Sequence, residues 1–253
     1  MLALEFPPLT HVVRWPAFFG EGEIWAFNKV GLICVLATFF SYLVFALGNK
    51  KQLVPTRMQS VAEISVEFIE DGIVKENIGS EYTGWTPVLM ATFFFVLFTN
   101  IFEIIPVFQM PASAQIAVPM MLAVFAFFCY VGAGIKAQGL GGYLKSSLFP
   151  PGLPIPLYIL ITPIEFVSTF LVRPFSLMVR LFANLLAGHM LLVTFSTLAA
   201  GLFVKNFTAV FLPLPAFAMI FFTAFEVLVS FLQAYVFTLL LAVYIGLSVH
   251  ADH

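Results

Sequence analysis

Residues 173–189, RPFSLMVRLFANLLAGH, place Arg180 deep inside a stretch that is otherwise apolar enough to lie in a lipid bilayer. A guanidinium stays charged at physiological pH, and holding it at membrane depth costs roughly 2.5–3.5 kcal/mol even on translocon-based insertion scales. This cost predicts that Arg180 faces protein or water instead of lipid, and that its position serves a function.

The spacing within this stretch indicates what Arg180 faces. At about 100° per residue along a helix, one stripe carries only small and polar side chains: Ser176, Arg180, Asn184, Ala187 and Gly188. Such a stripe lets another backbone approach closely. His189 lies on roughly the opposite face from Arg180, so the helix offers two polar surfaces and indicates two paths or two partners.

The composition excludes a soluble domain. Of 253 residues, 61% are hydrophobic and only 9% are charged, which is typical of an all-α integral membrane protein. The formal charge of -2 argues against nucleic acid as a partner. Cys34 and Cys129 both lie in apolar runs, which favours buried spacer residues over a disulfide or a metal site.

The apolar runs predict five membrane helices in a single membrane domain over residues 25–253, after an extracytoplasmic segment at 1–24. Three spans are expected at about 25–47, 86–107 and 116–135, and two longer apolar stretches follow at about 154–204 and 212–249. The basic cluster Lys50, Lys51 and Arg57 follows the first span. By the positive-inside bias this loop is cytoplasmic and the N-terminus lies outside.

The two long stretches exceed the thickness of a bilayer. Fifty helical residues extend about 75 Å against a hydrocarbon core of about 30 Å. The first stretch is therefore either two spans with a hidden turn near Arg173-Pro174, or one helix that is bent at proline and strongly inclined. Two successive over-long runs favour the inclined reading, a tilted hairpin over 152–249 with a cytoplasmic C-terminus; a hidden turn would give six spans and a C-terminus outside.

Two further segments connect these spans. Residues 58–80 alternate apolar and acidic side chains at helical spacing, which predicts an amphipathic helix along the cytoplasmic surface. Because this segment is acidic, a protein partner is expected to share its attachment with the lipid. Gly139, Gly141, Gly142 and the following prolines predict a loop that returns the chain to the membrane after the third span.

Five ionisable residues lie at predicted membrane depth, and such residues usually mark an ion or proton path: Glu103, Glu165, Arg180, His189 and Glu226. The alternative is that they neutralise one another, for example Arg180 with Glu165 or Glu226. Glutamate and histidine titrate when their surroundings shift them, whereas arginine stays charged and acts as a barrier or counter-charge. The pattern thus predicts that Glu226, His189 and Glu165 pass protons and that Arg180 blocks or attracts them.

Polar residues on the last helix extend this set. Glu226, Ser230 and Gln233 recur at intervals of four and three and share one face with Phe237. Asn184 and Gln233 are suited to position water or the arginine. The sequence contains no HExxH, CxxC, GxSxG or glycine-rich phosphate loop, so neither an enzyme, a metal site nor a cofactor is expected.

Two segments, RLFANLLAGH at 180–189 and EVLVSFLQAYVFTLLLAVY at 226–244, closely resemble the signature segments of subunit a of rotary F-type ATP synthases. The essential stator arginine of that family falls on Arg180, with the motif's Asn and His on Asn184 and His189. The family's glutamine falls on Gln233 and the carboxylate seven residues before it on Glu226. TNIFEIIP at 99–106 is similar to a further family segment, whose carboxylate falls on Glu103.

The resemblance implies a stator proton channel without a catalytic site of its own. Two aqueous half-channels would pass protons to and from the carboxylates of a rotating ring of c subunits, through Glu226 and His189, while Arg180 stops direct leakage. The implied partners are the c-ring, the b-subunit peripheral stalk, the rest of the synthase and the lipid of the inner (plasma) membrane. Two other readings remain open: a self-contained secondary transporter that binds an anionic substrate at Arg180, and an assembly or scaffold protein.

Overall fold

Five helices of the computed structural model are long and apolar enough to cross a membrane, which confirms the five predicted spans. The structure describes residues 28–48, 57–105, 112–149, 154–202 and 213–250. The candidate spans are Lys29–Ala46, Ser80–Ile101, Ala117–Leu148, Pro156–Leu202 and Pro213–Val249. The described part of the chain is helical and contains no strand. Large apolar side chains cover its outside, with Ile159 83% exposed and Leu214 74% exposed, which is the surface that lipid requires.

The helices are named here in chain order. They are α1 (Lys29–Gly48), α2 (Arg57–Ile69), α3 (Thr86–Ile101), α4 (Ala117–Leu148), α5 (Ile155–Val167), α6 (Arg173–Leu202) and α7 (Pro213–Val249). Short 3-10 segments precede α3 at Ser80–Trp85 and α4 at Ala112–Ala114, and π-helical segments follow α2 at Glu70–Lys75 and α5 at Ser168–Val172. The predicted N-terminal segment at 1–24, the basic residues Lys50 and Lys51, and the connection around Lys205 lie outside the described residues.

Local sequence explains where several of these helices begin. The Asn28 side chain accepts a hydrogen bond from the Gly31 amide at 3.0 Å, which caps the start of α1. Proline occupies the first turn of α3, α5 and α7, where its missing N–H is not needed by the helix.

The predicted amphipathic helix is present as α2 and its π-helical continuation, over 57–75. One side is buried through Ala62, Ile69 and Ile73, whereas Val61 and Ile64 are exposed together with the acidic residues. The segment ends at Gly79, whose φ of 113° breaks the helical path. The position of this helix at a membrane surface stays a prediction.

The predicted loop after the third span is wrong for residues 140–148, which are helical, but the chain does turn at Gly139. Of the three glycines only Gly139 has a positive φ, 76°, and its backbone is not helical, so α4 consists of two helical parts that meet there. The second part folds back on the first, since the Tyr143 ring is fully buried against Gly134, and nine residues of one straight helix would separate the two by about 13 Å. Packing thus overrides the low helix propensity of glycine.

The long stretch from α5 to α6 is one continuous helical run, so the hidden-turn alternative is wrong. The π-helical segment Ser168–Val172 joins the two helices immediately before Arg173 and Pro174. A π-helical turn accommodates an extra residue and so absorbs the proline without a reversal. The candidate span of 47 residues extends about 70 Å, and its strong inclination in a bilayer of about 30 Å stays a prediction.

The chain forms two compact units. Of the described residues, the first comprises 28–40, 95–105, 112–118, 181–202 and 213–233. Two contacts show that α6 and α7 run antiparallel within it. Phe195 of α6 stacks on Phe222 of α7 at 5.1 Å. Gly188, seven residues before Phe195, lies against Glu226, four residues after Phe222. The predicted hairpin of the last two helices is therefore present in this unit.

The second unit comprises Ser41–Phe94, Pro119–Arg180 and Ala234–His253. Contacts within this unit hold the C-terminal end of α7 in place. The Gly246 backbone lies directly against the Asn77 carbonyl, Gln138 donates a hydrogen bond to the Ser248 carbonyl at 2.9 Å, and the His250 ring lies 2.8 Å from the Ile78 carbonyl oxygen.

Candidate functional site

Three ionisable side chains that the sequence singled out lie together inside the first unit: Glu103, His189 and Glu226. Glu103 follows the end of α3, His189 lies in the middle of α6, and Glu226 lies on α7. All three are buried, with Glu103 3%, His189 6% and Glu226 3% exposed. The sequence indicated each residue separately, and the packing of three helices brings them into one cluster.

The closest pair in this cluster joins an imidazole to a carboxylate. His189 Nδ1 lies 3.3 Å from Glu103 Oε1, a distance that permits an ion pair when the ring is protonated. A carboxylate oxygen only accepts, so the contact is favourable only when Nδ1 carries a proton. His189 and Glu103 thus form a buried pair whose interaction depends on the position of one proton.

Glu226 interacts with the same carboxylate from the opposite helix. The carboxyl groups of Glu103 and Glu226 are close enough to interact electrostatically. Two ionised carboxylates cannot bond because neither donates, so a bond between them requires one proton on one of the two groups. Oε2 of each glutamate is buried, and neither of these two oxygens has a hydrogen-bond partner among the described residues.

Gly188 allows this approach of α6 to α7. A β-carbon at position 188 would overlap the carboxylate of Glu226. The absence of a side chain therefore lets the Glu226 carboxyl group lie directly against the backbone of α6, next to His189 in the sequence. Gly188 was noted in the sequence as part of a small stripe, but its contact with Glu226 depends on which helices pack together.

Two further polar residues on the Glu226 face of α7 are buried in the first unit. Ser230 is fully buried and Gln233 is 9% exposed, while Phe237, which belongs to the second unit, is 3% exposed. Among the described residues, the Ser230 hydroxyl has no hydrogen-bond partner, and the same holds for Oε2 of both glutamates. Buried polar atoms in proteins are almost always hydrogen-bonded to protein or to water. The first unit therefore holds a set of polar groups that internal water molecules are suited to bridge.

Sequence reasoning missed a polar pair beside the cluster. The Ser113 hydroxyl donates to Asn100 Oδ1 at 3.0 Å, and both residues are fully buried. Asn100 lies three residues before Glu103, so the two side chains project from neighbouring positions of one chain turn. Within the part of the chain that the structure describes, the buried Asn100 amide nitrogen has no hydrogen-bond partner. An i, i+3 spacing of polar residues in an apolar segment was the available signal.

Arg180 and Glu165 belong to the second unit and are not part of this cluster. Arg180 is exposed and Glu165 is half-buried, and within the described part of that unit they form no ion pair with each other. The alternative in which Glu165 neutralises Arg180 is therefore not found within the described part of the second unit. Asn184, in the first unit, is half-buried on α6.

The chemistry of the cluster is suited to the movement of protons. Imidazole and carboxyl groups exchange protons with neighbours and with water, and these three are buried within helices long enough to span a membrane. Among the described residues, no group of three His, Cys, Asp or Glu side chains is arranged to hold a metal ion. The arrangement supports a relay of protons between Glu226, Glu103 and His189.

Comparison with known proteins gives a consistent family result. A family model described as ATP synthase A chain matches residues 30–246. Subunit a of ATP synthase from Rhodococcus erythropolis is 45% identical over 229 residues, which cover 89% of this chain and 83% of the relative. The corresponding subunit of Frankia alni is 38% identical over 252 residues, which cover 97% and 87%. That of Nocardioides sp. is 36% identical over 260 residues, which cover 98% and 94%.

Proposed function

The chain belongs to the ATP synthase subunit a family of the F0 membrane sector, and from this premise we propose that it is the stator proton channel of its complex. In this role it provides two aqueous half-channels and couples the flow of protons to the rotation of a ring of c subunits. It has no catalytic site of its own and contributes to ATP synthesis only through this coupling.

The observation that carries the proposal is the buried cluster of Glu103, His189 and Glu226. Burying ionisable groups at membrane depth is costly, and a bundle that needed only to pack would use apolar or small residues. Proton transfer requires the opposite, namely titratable groups within reach of each other and of water. In the proposed path, a proton passes Glu226, Glu103 and His189 before it reaches a carboxylate of the rotor.

Arg180 is proposed to be the stator charge that faces the rotor. It is exposed on the isolated chain, which leaves its guanidinium available to a carboxylate of another subunit. Because the guanidinium does not lose its proton, it attracts an ionised rotor carboxylate and bars direct passage of protons between the half-channels. Asn184 and Gln233 would orient Arg180 or water on this route, Ser230 would line it, and Glu165 would belong to one half-channel.

The remaining assignments follow from the family and from charge bias. The chain is a component of a multi-subunit complex and a multi-pass protein of the inner (plasma) membrane. Its proposed neighbours are the c-ring and the b-subunit peripheral stalk. The proposed orientation has the N-terminus outside and the C-terminus cytoplasmic, with α2 and its continuation along the cytoplasmic surface in a single membrane domain.

The proton path is tested in inner-membrane vesicles that carry the whole synthase. Glu226→Gln keeps the shape of the side chain but cannot titrate, so ATP-driven acidification of the vesicles should fall to background while ATP hydrolysis persists. The matched control is Thr223→Val on the same helix. The Thr223 hydroxyl only bonds the Met219 carbonyl of its own helix at 2.7 Å, so acidification should stay within about twofold of wild type.

Acidification at the wild-type rate in Glu226→Gln vesicles would contradict the proposed path. The transporter alternative predicts a different result, since a self-contained carrier works without a rotor. Uptake of an anionic solute by vesicles that contain this chain alone would therefore contradict the stator function.

A further inference from the structure

Pro174 creates a hydrogen-bonding problem at the junction of α5 and α6. In the π-helical segment Ser168–Val172, the Arg173 amide donates to the Ser168 carbonyl, five residues earlier. The same pattern would have residue 174 donate to the Thr169 carbonyl. Proline has no N–H, so this donor is missing from the backbone.

Tyr130 supplies a donor at this carbonyl. Its hydroxyl donates a hydrogen bond of 2.7 Å to the Thr169 carbonyl oxygen, from a helix 39 residues earlier in the chain. Tyr130 is fully buried and Thr169 is 2% exposed, so neither group has access to bulk water as an alternative partner. The tyrosine therefore takes the place of the N–H that Pro174 lacks.

Aromatic packing fixes the tyrosine and the other side of the junction. The Tyr130 ring lies edge-to-face with Tyr244 at 5.8 Å. The Arg173 guanidinium lies 5.4 Å from the centre of the same Tyr244 ring, a distance at which a cation is attracted to the ring face. Tyr244 thus contacts both Tyr130, which bonds Thr169, and Arg173, the first residue of α6. All of these residues belong to the second unit.

The register of this junction determines which way α6 faces. A change from the π-helical to the α-helical pattern shifts the following helix by one residue, or about 100° of rotation. Arg180 lies seven residues after Arg173, close to two full helical turns. A rotation of α6 at the junction therefore rotates the direction in which Arg180 points by the same angle.

We propose that Tyr130 is a positioning residue for Arg180: by bonding the Thr169 carbonyl in place of the missing Pro174 amide, it holds the π-helical register that points the arginine outward. This inference rests on the proposed function of Arg180 as the stator charge. Tyr130 contacts neither rotor nor protons in this role and acts only through the register of α6.

The proposal predicts that Tyr130 matters only while position 174 lacks an N–H. In vesicles that carry the whole synthase, Tyr130→Phe should lower the ratio of protons pumped to ATP hydrolysed by about fivefold, the scale expected for an unsatisfied buried carbonyl. Pro174→Ala restores a backbone donor and should by itself stay within about twofold of wild type. In that background, Tyr130→Phe should change the ratio less than about twofold.

Tyr143→Phe is the matched control for the loss of a hydroxyl. Tyr143 lies in the helical part that follows Gly139 and is as deeply buried as Tyr130, and its hydroxyl has no hydrogen-bond partner within the described residues. Removing it should leave the ratio within about twofold of wild type. All ratios are taken at equal amounts of assembled complex. If Tyr130→Phe prevents assembly, recovery of assembly by added Pro174→Ala supports the proposal, and failure to recover overturns it.

Three results would overturn the inference: Tyr130→Phe pumping like wild type, Tyr130→Phe having the same effect with and without Pro174→Ala, or loss of pumping with Pro174→Ala alone. Arg180→Ala separates this failure from that of the proposed function. If Arg180→Ala abolishes pumping and Tyr130→Phe does not lower it, the stator function stands and the positioning role is wrong. If pumping survives Arg180→Ala, the stator function itself is wrong.

Discussion

The contact between Gly188 and Glu226 gives a prediction that follows directly from packing. Gly188→Ala introduces a β-carbon that overlaps the Glu226 carboxylate, so that the carboxylate must move or the two helices must separate. Inserting a methyl group into a packed interior costs about 1–3 kcal/mol. Replacing a helical glycine by alanine returns only about 0.5–1 kcal/mol. The cost of the overlap therefore exceeds the gain in helix stability, and the Glu226 carboxylate is displaced from its place beside Glu103.

The expected effect is a loss of both coupling and stability. If Gly188→Ala destabilises the arrangement in which the Glu226 carboxylate lies beside Glu103 by a net cost of about 1.4 kcal/mol, ATP-driven pumping should fall about tenfold. Pumping is measured in vesicles at equal complex content, and stability is measured as the temperature at which the solubilised complex dissociates. Gly132→Ala is the control, because a β-carbon at that helical position meets no atom within 4 Å. It should pump normally and be equally or slightly more heat-stable.

A second variant tests whether the clash with Glu226 is the cause. Glu226→Asp shortens the side chain by one methylene group and relieves the overlap, so Gly188→Ala should cost less in that background than in the wild type. Equal pumping and heat stability of Gly188→Ala and Gly132→Ala would refute the packing argument. The same loss in both Glu226 backgrounds would refute the assignment of the clash to this carboxylate.

Two further predictions concern buried contacts elsewhere in the chain. Gly246→Ala should strongly reduce the amount of assembled complex in membranes, because its β-carbon would overlap the Asn77 backbone carbonyl. Gly141→Ala, whose β-carbon meets open space, should assemble normally on immunoblots of purified complex. Equal assembly of the two variants would contradict the close approach of Gly246 to Asn77. Ser113→Ala leaves Asn100 Oδ1 without its donor, so the solubilised complex should lose about 1–3 kcal/mol of stability, seen as a lower dissociation temperature, and an unchanged temperature would contradict this bond.

The apolar pattern predicted the helices well, because burial in lipid imposes a strong constraint on composition. The last helix was expected at 212–249 and runs over Pro213–Val249. The two alternatives for the stretch around Pro174 were not separable from local sequence. The donor that satisfies the Thr169 carbonyl comes from Tyr130 on another helix, and a long-range contact of this kind leaves no mark in the residues near the proline.

The segment after the third span shows the same limit. Glycines at 139, 141 and 142 have low helix propensity and indicated a loop; the chain turns at Gly139, but residues 140–148 form a second helical part. Gln138 bonds the Ser248 carbonyl, and the Ser146 hydroxyl bonds the Gln138 side chain at 2.8 Å. These tertiary bonds hold the segment helical, and propensity alone does not contain them.

For the candidate site, the sequence identified the residue types but not their partners. An ionisable residue in an apolar run is visible in any sequence, and Glu103, His189 and Glu226 were found in this way. Their meeting at one point depends on the antiparallel packing of α6 and α7 and on the missing side chain at Gly188. The pairing of Arg180 with Glu165, which the sequence left open as an alternative, does not occur in the described part of the second unit.

The central claim, that Arg180 is the stator charge of a proton channel, is tested most directly by proton movement in vesicles carrying Arg180→Ala in the whole synthase. Arg57→Ala serves as the control, because Arg57 is an exposed arginine at the start of α2. The account predicts that ATP-driven pumping disappears in Arg180→Ala, that ATP hydrolysis persists, and that passive proton leak stays level or rises. Coupled pumping near the wild-type rate would show that Arg180 is only a structural counter-ion and would contradict the account.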